Sequence, residues 1–475
     1  MSANADIWEE DLLSRREEAD YLESFLSKQV SKRRKDGQTA SYVINIDADW
    51  GEGKSFFLER FSRQLKARGH VVANVNAWRD DHTDDPFVAV LSAIDEAIKP
   101  LIPENVTVRD RWKKVKESAL PTMGRVFAGA TRATVKRYLD SEIDDLFADG
   151  ESSSVDEGLA AGAKEGIRQA FALSKATDAM ISKFNQQRSS IDQFRERMGH
   201  VVDCISQEKL LFVLIDELDR CRPSYAIALL ERIKHLFDAN GVVFVFATNS
   251  SQLQHSIVGA YGPNFEGFRY LQRFFDITYD LQAPDRSNFI EFVFKEINSR
   301  SLNCPVEDIM EFLRVAVGSY NLNLRETQKL SETIEYVLDG WVHQIDPEIV
   351  FLVPLAIQLI RTGRVNVENL VAEIPKNFSF SRARRSEFGN VIRGTDSFSV
   401  KSALGEIIKM SESLDYAIEK SSGSSRDWQA RYISNAFSRE YNGVPIKQGS
   451  PSIQSRLPSL VAYAGRFSST DEHDG

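Results

Sequence analysis

The strand, loop and helix at residues 42–65 constrain the fold more than any other part of the sequence. A short apolar run, Tyr42–Asp47 (YVINID), precedes a loop at residues 48–55 (ADWGEGKS), and an amphipathic helical pattern follows. This order is the context in which the motif G-x-x-x-x-G-K-[ST] binds phosphate groups, although alanine replaces the first glycine here. The segment therefore predicts an α/β fold with a phosphate-binding loop.

The residue types of this loop match the needs of phosphate binding. Gly51 and Gly53 allow the backbone angles that turn N–H groups of the loop toward a phosphate. Lys54 is predicted to neutralise the β- and γ-phosphates, and Ser55 to bind Mg²⁺ at the start of the helix. An ordinary glycine-rich turn is the alternative, but it does not explain why strand, loop, Lys-Ser pair and helix coincide. The predicted nucleotide contacts are Asp49, Trp50, Gly51, Glu52, Gly53, Lys54, Ser55 and Phe56.

An acidic pair ends another strongly apolar run. Residues 209–215 (KLLFVLI) are followed by Asp216 and Glu217. Asp216 is predicted to hold the Mg²⁺ shell, and Glu217 to orient the attacking water or accept its proton. An acidic cluster at a helix N-terminus is the alternative interpretation. The upstream Lys-Ser loop favours the catalytic one.

Further patterns complete a parallel-sheet core and divide the chain. Residues 70–76 and 242–247 (VVFVFA) have the length and composition of strands, and near-continuous apolar runs are typical of parallel strands covered on both faces. Residues 225–237 predict a crossover helix, and the polar, helix-prone residues from about 100 to 208 predict a large helical insertion. The predicted domains are a P-loop core at 1–285, a helical lid at 286–374 and a C-terminal region at 375–475 with an acidic tail.

Three segments resemble the KAP family of P-loop NTPases, a mainly bacterial group with relatives in animals. DWGEGKS is similar to the family's Gly-x-Trp-Gly-x-Gly-Lys-[Ser/Thr] loop, and NAW at residues 76–78 to its Asn-x-Trp after the second strand. FVLIDELDRCRP at residues 212–223 is similar to its apolar strand followed by Asp-Asp-Leu-Asp-Arg-Cys. The third match is the most specific, because nucleotide binding alone does not require the trailing Asp-Arg-Cys.

The resemblance covers about residues 10–330 and implies a parallel-sheet ATPase core with a helical insertion between the two nucleotide motifs. It implies ATP and Mg²⁺ as ligands, and a setting in bacterial conflict systems such as anti-phage defence. Two departures matter. Glu217 replaces the family's usual second Asp, and the resulting Asp-Glu pair resembles that of active related ATPases. The insertion lacks the uninterrupted apolar runs that form transmembrane helices in many members.

Three other positions are candidates by similarity to related ATPases. Asn249 follows the strand VVFVFA and is placed to sense the γ-phosphate or position water, while a helix cap is the alternative. Arg273 lies where a finger arginine often reaches a neighbouring subunit. Arg325, at the start of a later helix, resembles a lid arginine that closes on the nucleotide. Either arginine implies an oligomer or a hinged lid.

Composition restricts the partners. The chain has 59 Lys and Arg against 69 Asp and Glu, and its net charge of -10 argues against a chain-wide basic surface for nucleic acid. The basic cluster at residues 32–35, in a predicted connector, leaves lipid or nucleic-acid contact as a weaker expectation than a solvated surface. The cluster at residues 382–393 leaves a partner-binding or nucleic-acid site in the same way. Three widely spaced cysteines predict neither a disulfide framework nor a zinc site.

No targeting or membrane segment is predicted. The acidic, amphipathic N-terminus lacks the apolar core of a signal peptide. The most apolar stretch, residues 349–360, is shorter than a bilayer-spanning helix and predicts a buried helix, kinked or started near Pro354. A cytoplasmic location is therefore expected.

Together these patterns predict an Mg²⁺-dependent ATPase that couples hydrolysis to conformational change or to assembly with itself or a partner protein. The alternative is a nucleotide-binding switch or scaffold with little intrinsic turnover that acts through partner proteins. A nucleic-acid-dependent ATPase is a third and less favoured interpretation.

Overall fold

The computed structural model describes two compact units. The first unit comprises Met1–Asp11, Arg15–Asp49 and Lys54–Gln282, and the second comprises Leu12–Ser14, Trp50–Gly53 and Ala283–Gly475. The predicted three-part division of the chain stays a prediction. The described residues are 7–9, 11–83, 85–102, 105–123, 189, 191–205, 209–236, 239–281, 285–385, 391–421, 427–442, 447 and 449–466.

The first unit contains a parallel sheet, which confirms the predicted fold class. The described strands of this sheet are β1 (Tyr42–Asp47), β2 (Val71–Asn76), β3 (Leu211–Asp216), β4 (Val242–Thr248) and β5 (Ile277–Asp280). Their order across the sheet is β2-β3-β4-β1-β5, and every neighbouring pair runs parallel. Strands that are distant in sequence therefore become neighbours.

Apolar side chains cover both faces of this sheet. In β3, Val213 and Ile215 belong to one buried cluster, whereas Phe212 and Leu214 belong to another. Successive side chains of a strand point to opposite faces, so a strand buried on both sides needs a continuous apolar run. This is why the runs at residues 209–215 and 242–247 can be recognised in the sequence.

Helices surround the sheet of the first unit. The crossover helix predicted between β3 and β4 is present, while most of the predicted insertion at residues 100–208 lies outside the described residues. The described helices of this unit are α1 (Arg16–Lys35), α2 (Lys54–Ala67), α3 (Ala77–Asp80), α4 (Pro86–Ile98), α5 (Val106–Met123), α6 (191–205), α7 (Pro223–Leu236), α8 (Ser250–Tyr261) and α9 (Gly267–Leu271).

The basic segment at residues 31–38 predicts a connector, and this prediction is wrong for residues 31–35 because α1 continues through Lys35. Val30 is buried on the inner side of the helix. Arg33 pairs with Asp276 at 2.7 Å, and Arg34 pairs with Asp203 at 3.4 Å. Two of the four consecutive basic side chains are thus used within the fold.

The second unit is mainly helical and has one large apolar core that extends from Ile290 to Ala464. It also contains an antiparallel pair of strands, β6 (Ser379–Arg385) and β7 (Val391–Ser399). Its described helices are α10 (Ser287–Val293), α11 (Lys295–Asn298), α12 (Ile309–Tyr320), α13 (Leu324–Asp339), α14 (Ile349–Thr362), α15 (Val367–Glu373), α16 (Val400–Glu412), α17 (Leu414–Ser421), α18 (Trp428–Tyr441) and α19 (Leu457–Ala464).

The most apolar helix, α14, lies in the core of this unit. It begins at Ile349 and contains Pro354 in its interior, so the proline does not start the helix. Among the described residues, no single helix has the length and apolar character needed to cross a membrane. Only α14 and α15 taken together meet those criteria, and the pair is bent by 96°.

Candidate functional site

The sheet register brings polar residues from four strands to one edge. At the carboxyl ends, Asp47 of β1 is paired with Thr248 of β4, and Asn76 of β2 with Asp216 of β3. Asp216 is also paired with Ala247 of β4. In an open parallel sheet this edge is where ligands bind.

The loop between β1 and α2 has the backbone of a phosphate-binding turn. Gly51 and Gly53 have φ angles of 83° and 82°, in the left-handed region that other residues rarely adopt. The helix α2 starts at Lys54, so its first N–H groups face the end of the loop. The loop therefore supplies the backbone donors and the helix terminus that an anion needs.

Lys54 folds back over this loop. Its ammonium group donates hydrogen bonds to the backbone carbonyls of Ala48 and of Asp49, the latter at 3.1 Å. Burial lowers the pKa of Lys54, and the nearby carboxylates of Asp219 and Asp216 oppose that shift. A cation held by carbonyl oxygens at the mouth of such a loop is positioned to exchange them for phosphate oxygens.

Ser55 and Asp216 lie together, as expected for residues that share one metal ion. The Ser55 hydroxyl is within hydrogen-bonding reach of the Asp216 carboxylate. Burial raises the pKa of Asp216, while hydrogen bonds from Ser55 and from the Glu217 backbone N–H, at 2.8 Å, oppose the shift. An opposing cation would favour the ionised carboxylate, so the raised pKa indicates a site that gains from binding positive charge.

Glu217 follows in an unusual backbone conformation. Its φ and ψ are 62° and 27°, which places a non-glycine residue in the left-handed region. Its carboxylate accepts a hydrogen bond from the Asn76 side chain at 2.9 Å and pairs with Arg220 at 3.1 Å. The conformation costs on the order of 1–3 kcal/mol and persists only where surrounding contacts fix it.

The sequence did not predict Asn76 and Arg220 as site residues. Asn76 ends β2, the neighbour of β3, and also caps α3 by accepting the Arg79 N–H at 3.0 Å. The signal in the sequence was a polar residue at the carboxyl end of a strand, since the carboxyl ends of parallel strands lie at the same edge of the sheet. Which strand neighbours β3 was not visible in the sequence.

Asn249 has two roles in the structure. Its side-chain oxygen caps α8 by accepting the Gln252 N–H at 3.0 Å, and its amide nitrogen donates to Asp49 at 3.2 Å. The capping alternative is therefore observed, and the same side chain also contacts the residue that opens the phosphate loop. Its predicted role in sensing the γ-phosphate stays a prediction.

The surroundings of four other predicted residues do not test their roles. Arg273 is exposed between α9 and β5, and no ion pair with it is found in the part of the chain that the structure describes. Arg325 is exposed in the first turn of α13, in the second unit. Phe56 is half-buried beneath the Arg60 guanidinium, and Trp50 is 48% exposed. The roles predicted for these four residues stay predictions.

The tip of the loop, Trp50–Gly53, groups with the second unit. Both carboxylate oxygens of Glu52 accept hydrogen bonds from Arg286, at 2.9 and 3.0 Å. A Cβ atom added at Gly51 would lie 2.8 Å from the side chain of Asn323. A side chain at Gly51 is thus excluded by space as well as by backbone conformation.

Comparison with known proteins now identifies the family. A model described as the KAP family P-loop domain matches residues 24–339. The chain belongs to the KAP family. The match includes the loop, the Asn-x-Trp segment and the Asp-Glu pair, so the resemblance seen in the residues is confirmed, and this KAP protein is a nucleotide-binding P-loop NTPase.

Other comparisons add little to the family assignment. The structure of C. elegans PCH-2 is similar at 13% sequence identity and a TM-score of 0.29, covering 76% of this chain and 71% of that chain. A search of curated proteins gives no match to this KAP protein.

The residues of this site fit a nucleotide with a divalent cation. The loop offers left-handed glycines and a half-buried ammonium, and a hydroxyl and a carboxylate converge beside them. Within the described ranges, no cluster of three or more His, Cys, Asp or Glu side chains could hold a metal ion without such a ligand. A cation with few protein ligands and several phosphate or water oxygens is the pattern that Mg²⁺ favours.

Proposed function

We propose that this KAP protein is an Mg²⁺-dependent ATPase. The observation that supports it is the meeting of Lys54, Ser55, Asp216 and Glu217 at one sheet edge, although a long stretch of chain separates the first pair from the second. Each residue type suits one need of phosphoryl transfer: charge on the phosphates, a metal ligand, a second metal ligand and a group that handles water.

Phosphate binding is assigned to the loop and Lys54. The ammonium would leave the carbonyls of Ala48 and Asp49 and bind phosphate oxygens, while the loop N–H groups take the remaining charge. Ser55 and Asp216 would hold Mg²⁺, which when bound neutralises charge on the phosphates. Burial of Lys54 strengthens its interaction with a polyanion, because charges interact more strongly away from water.

Water activation is assigned to Glu217. Its carboxylate is half-buried and faces the same edge as Asp216, and Asn76 holds one of its oxygens. A carboxylate fixed in this way can orient a water molecule for in-line attack and accept its proton. The preference for ATP over GTP rests on family resemblance, since the sequence has no guanine-binding Asn-Lys-x-Asp segment.

Coupling of hydrolysis to conformational change or assembly is part of this proposal. Grouping of the loop tip with the second unit, through Glu52 and Arg286, supports a response of that unit to the nucleotide. The proposal also includes a bacterial anti-phage setting, which comes from the family resemblance, and a cytoplasmic location, which comes from the sequence. The same holds for self-assembly or a partner protein.

Two substitutions test the catalytic assignment. We expect Lys54→Ala to abolish nucleotide binding, because the loop then lacks its buried charge. We expect Glu217→Gln to keep binding and to lose turnover by about 100-fold or more, in the range that general-base catalysis contributes. Binding of a fluorescent ATP analogue and release of phosphate measure the two effects separately. Equal hydrolysis by wild type and Glu217→Gln would refute the role of Glu217.

A further inference from the structure

We propose that Arg220 restrains Glu217, and that the exposed ring of Trp78 holds Arg220 in place. Arg220 is in this view a positioning residue that keeps basal turnover low. The inference rests on the proposed ATPase function and goes beyond it, since it concerns how the water-activating group is controlled. All three residues belong to the first unit.

Both oxygens of the Glu217 carboxylate are already engaged. Oε2 accepts the Asn76 amide N–H at 2.9 Å, and Oε1 lies 3.1 Å from the Arg220 guanidinium. A water molecule that is to donate its proton to Glu217 must find an accepting lone pair on one of these oxygens. Each donor takes one lone pair of its oxygen, so the water must bind a remaining lone pair beside these donors, and the cationic guanidinium also makes the carboxylate a weaker base.

Asn76 is the fixed member of this arrangement. Its side-chain oxygen caps α3 by accepting the Arg79 N–H at 3.0 Å, while its nitrogen binds Glu217. Both ends of the amide are thus used, and its position follows from the end of β2. Asn76 aims the carboxylate without needing to move.

Arg220 is the movable member. Its side chain is 37% exposed, against 17% for Glu217, and its guanidinium lies 5.5 Å from the centre of the Trp78 ring. Trp78 is itself 53% exposed. Partly exposed ion pairs and cation–π contacts each contribute little, so this contact can open at low cost.

Hydrogen bonds fix the backbone of Glu217, so its carboxylate cannot leave Arg220 by a backbone movement alone. Its carbonyl accepts hydrogen bonds from the N–H of Arg220 at 3.2 Å and from the Cys221 thiol at 3.5 Å. The turn at Leu218–Arg220 therefore holds Glu217 in its left-handed conformation. Freeing the carboxylate requires movement of the Arg220 side chain rather than of the turn.

The decisive variant is Arg220→Gln in the full-length protein. We expect kcat for ATP to rise about two- to five-fold, which corresponds to roughly 0.4–1 kcal/mol and matches one ion pair of this exposure. The KM for ATP should change by less than about two-fold, because Arg220 is not assigned to the nucleotide. Arg220→Lys should stay near wild type, since an ammonium still reaches Glu217.

Two further variants keep the test decisive. Trp78→Ala leaves the ion pair but removes its support, and a smaller rise in kcat is expected. Arg269→Gln is the matched control, because it removes another arginine paired with a glutamate three residues away, at 2.8 Å, and should leave kcat unchanged. If melting curves show that Arg220→Gln is misfolded, the kcat of Trp78→Ala decides the question.

A kcat of Arg220→Gln at or below wild type, with normal melting and nucleotide binding, overturns the restraint. The double variant Arg220→Gln/Glu217→Gln separates this failure from failure of the proposed function. Loss of the gained turnover in the double variant supports both assignments, whereas retention of that turnover removes Glu217 from catalysis. Absence of hydrolysis in wild type and in both single variants overturns the ATPase function together with the restraint.

Discussion

Each unit of this protein contains a carboxyl group whose pKa is raised by burial, Asp216 in the first unit and Glu348 in the second. Asp216 ends a central strand and lies near Lys54 and Ser55. Glu348 precedes α14 and is fully buried, and its pKa is raised to about 7. The two groups share a cause for their shifts but differ in their neighbours.

Glu348 has a complete set of neutral partners. Its carboxyl group accepts hydrogen bonds from the Asn303 amide at 2.7 Å and from the Val350 N–H at 3.3 Å, and it contacts the Tyr432 hydroxyl. The Tyr432 hydroxyl also donates to the Asn303 carbonyl at 3.0 Å. Since tyrosine has one proton for two acceptors, a protonated Glu348 that donates to Tyr432 satisfies every group.

Asp216 differs because acidic side chains lie beside it. A hydroxyl and one backbone N–H bind it, and nearby Glu217 and Asp219 raise its pKa further. A positive ion would relieve that repulsion, whereas Glu348 gains nothing from one. A raised pKa therefore marks a candidate cation-binding site only when like charges accompany burial.

Substitution of Asp216 and of Glu348 is expected to differ most in its effect on ATP turnover. Asp216→Asn should lower ATP hydrolysis by about 100-fold or more, because a metal ligand that stabilises charge in the transition state is lost. Glu348→Gln, the matched change in the other unit, should keep turnover near wild type. Phosphate release over a Mg²⁺ titration measures both. Equal losses in the two variants would contradict the comparison.

The next effect is on the pH dependence of stability. The pKa of Glu348 is about 7 in the folded state and has an ordinary value near 4.5 when unfolded, so the folded protein holds an extra proton between those values. The free energy of unfolding should therefore fall by roughly 3 kcal/mol from this group as the pH rises from about 4.5 to 7.

Denaturant melts of wild type and Glu348→Gln at pH 5 and pH 8 measure this contribution. The amide mimics the protonated acid, so the unfolding free energy of the variant should lack the pH dependence that comes from Glu348. Relative to wild type, the variant should therefore be more stable at pH 8 than at pH 5. A pH slope that is identical in the two proteins would show that Glu348 is ionised in the fold.

The smallest effect concerns the partner of Glu348. Tyr432→Phe leaves Glu348 and the Asn303 carbonyl with one fewer partner, and we expect a loss of about 1–3 kcal/mol of stability. Tyr416→Phe is the control, because Tyr416 binds Glu406 at 3.1 Å in a more exposed setting and should cost less. Thermal melting of both variants gives the comparison, and a larger loss for Tyr416→Phe would contradict it.

Much of the site could be predicted from local sequence. The Lys54 loop follows a strand and opens a helix, and Asp216 and Glu217 end an apolar strand, so short windows of sequence carry the information. The connector predicted at residues 31–38 was wrong because Arg33 and Arg34 find acidic partners far away in sequence. Charge runs are ambiguous until those partners are known.

The contacts that aim the site were not predictable in the same way. Asn76 meets Glu217 because β2 lies beside β3, and Arg286 meets Glu52 because the loop tip groups with the second unit. Glu348 was not singled out in the sequence, and its contact with Tyr432 joins it to α18, far along the chain. Such contacts depend on strand order and packing between distant segments.

The sequence by itself determined the parallel sheet, the phosphate loop and the acidic strand end, because each follows from periodicity and from residue types within a few positions. Tertiary structure alone decided which side chains hold Glu217 and which of the two carboxyl groups with a raised pKa has acidic neighbours. The reason is that hydrogen bonds and ion pairs act over a few ångströms, and only the folded chain sets which distant residues come within that distance.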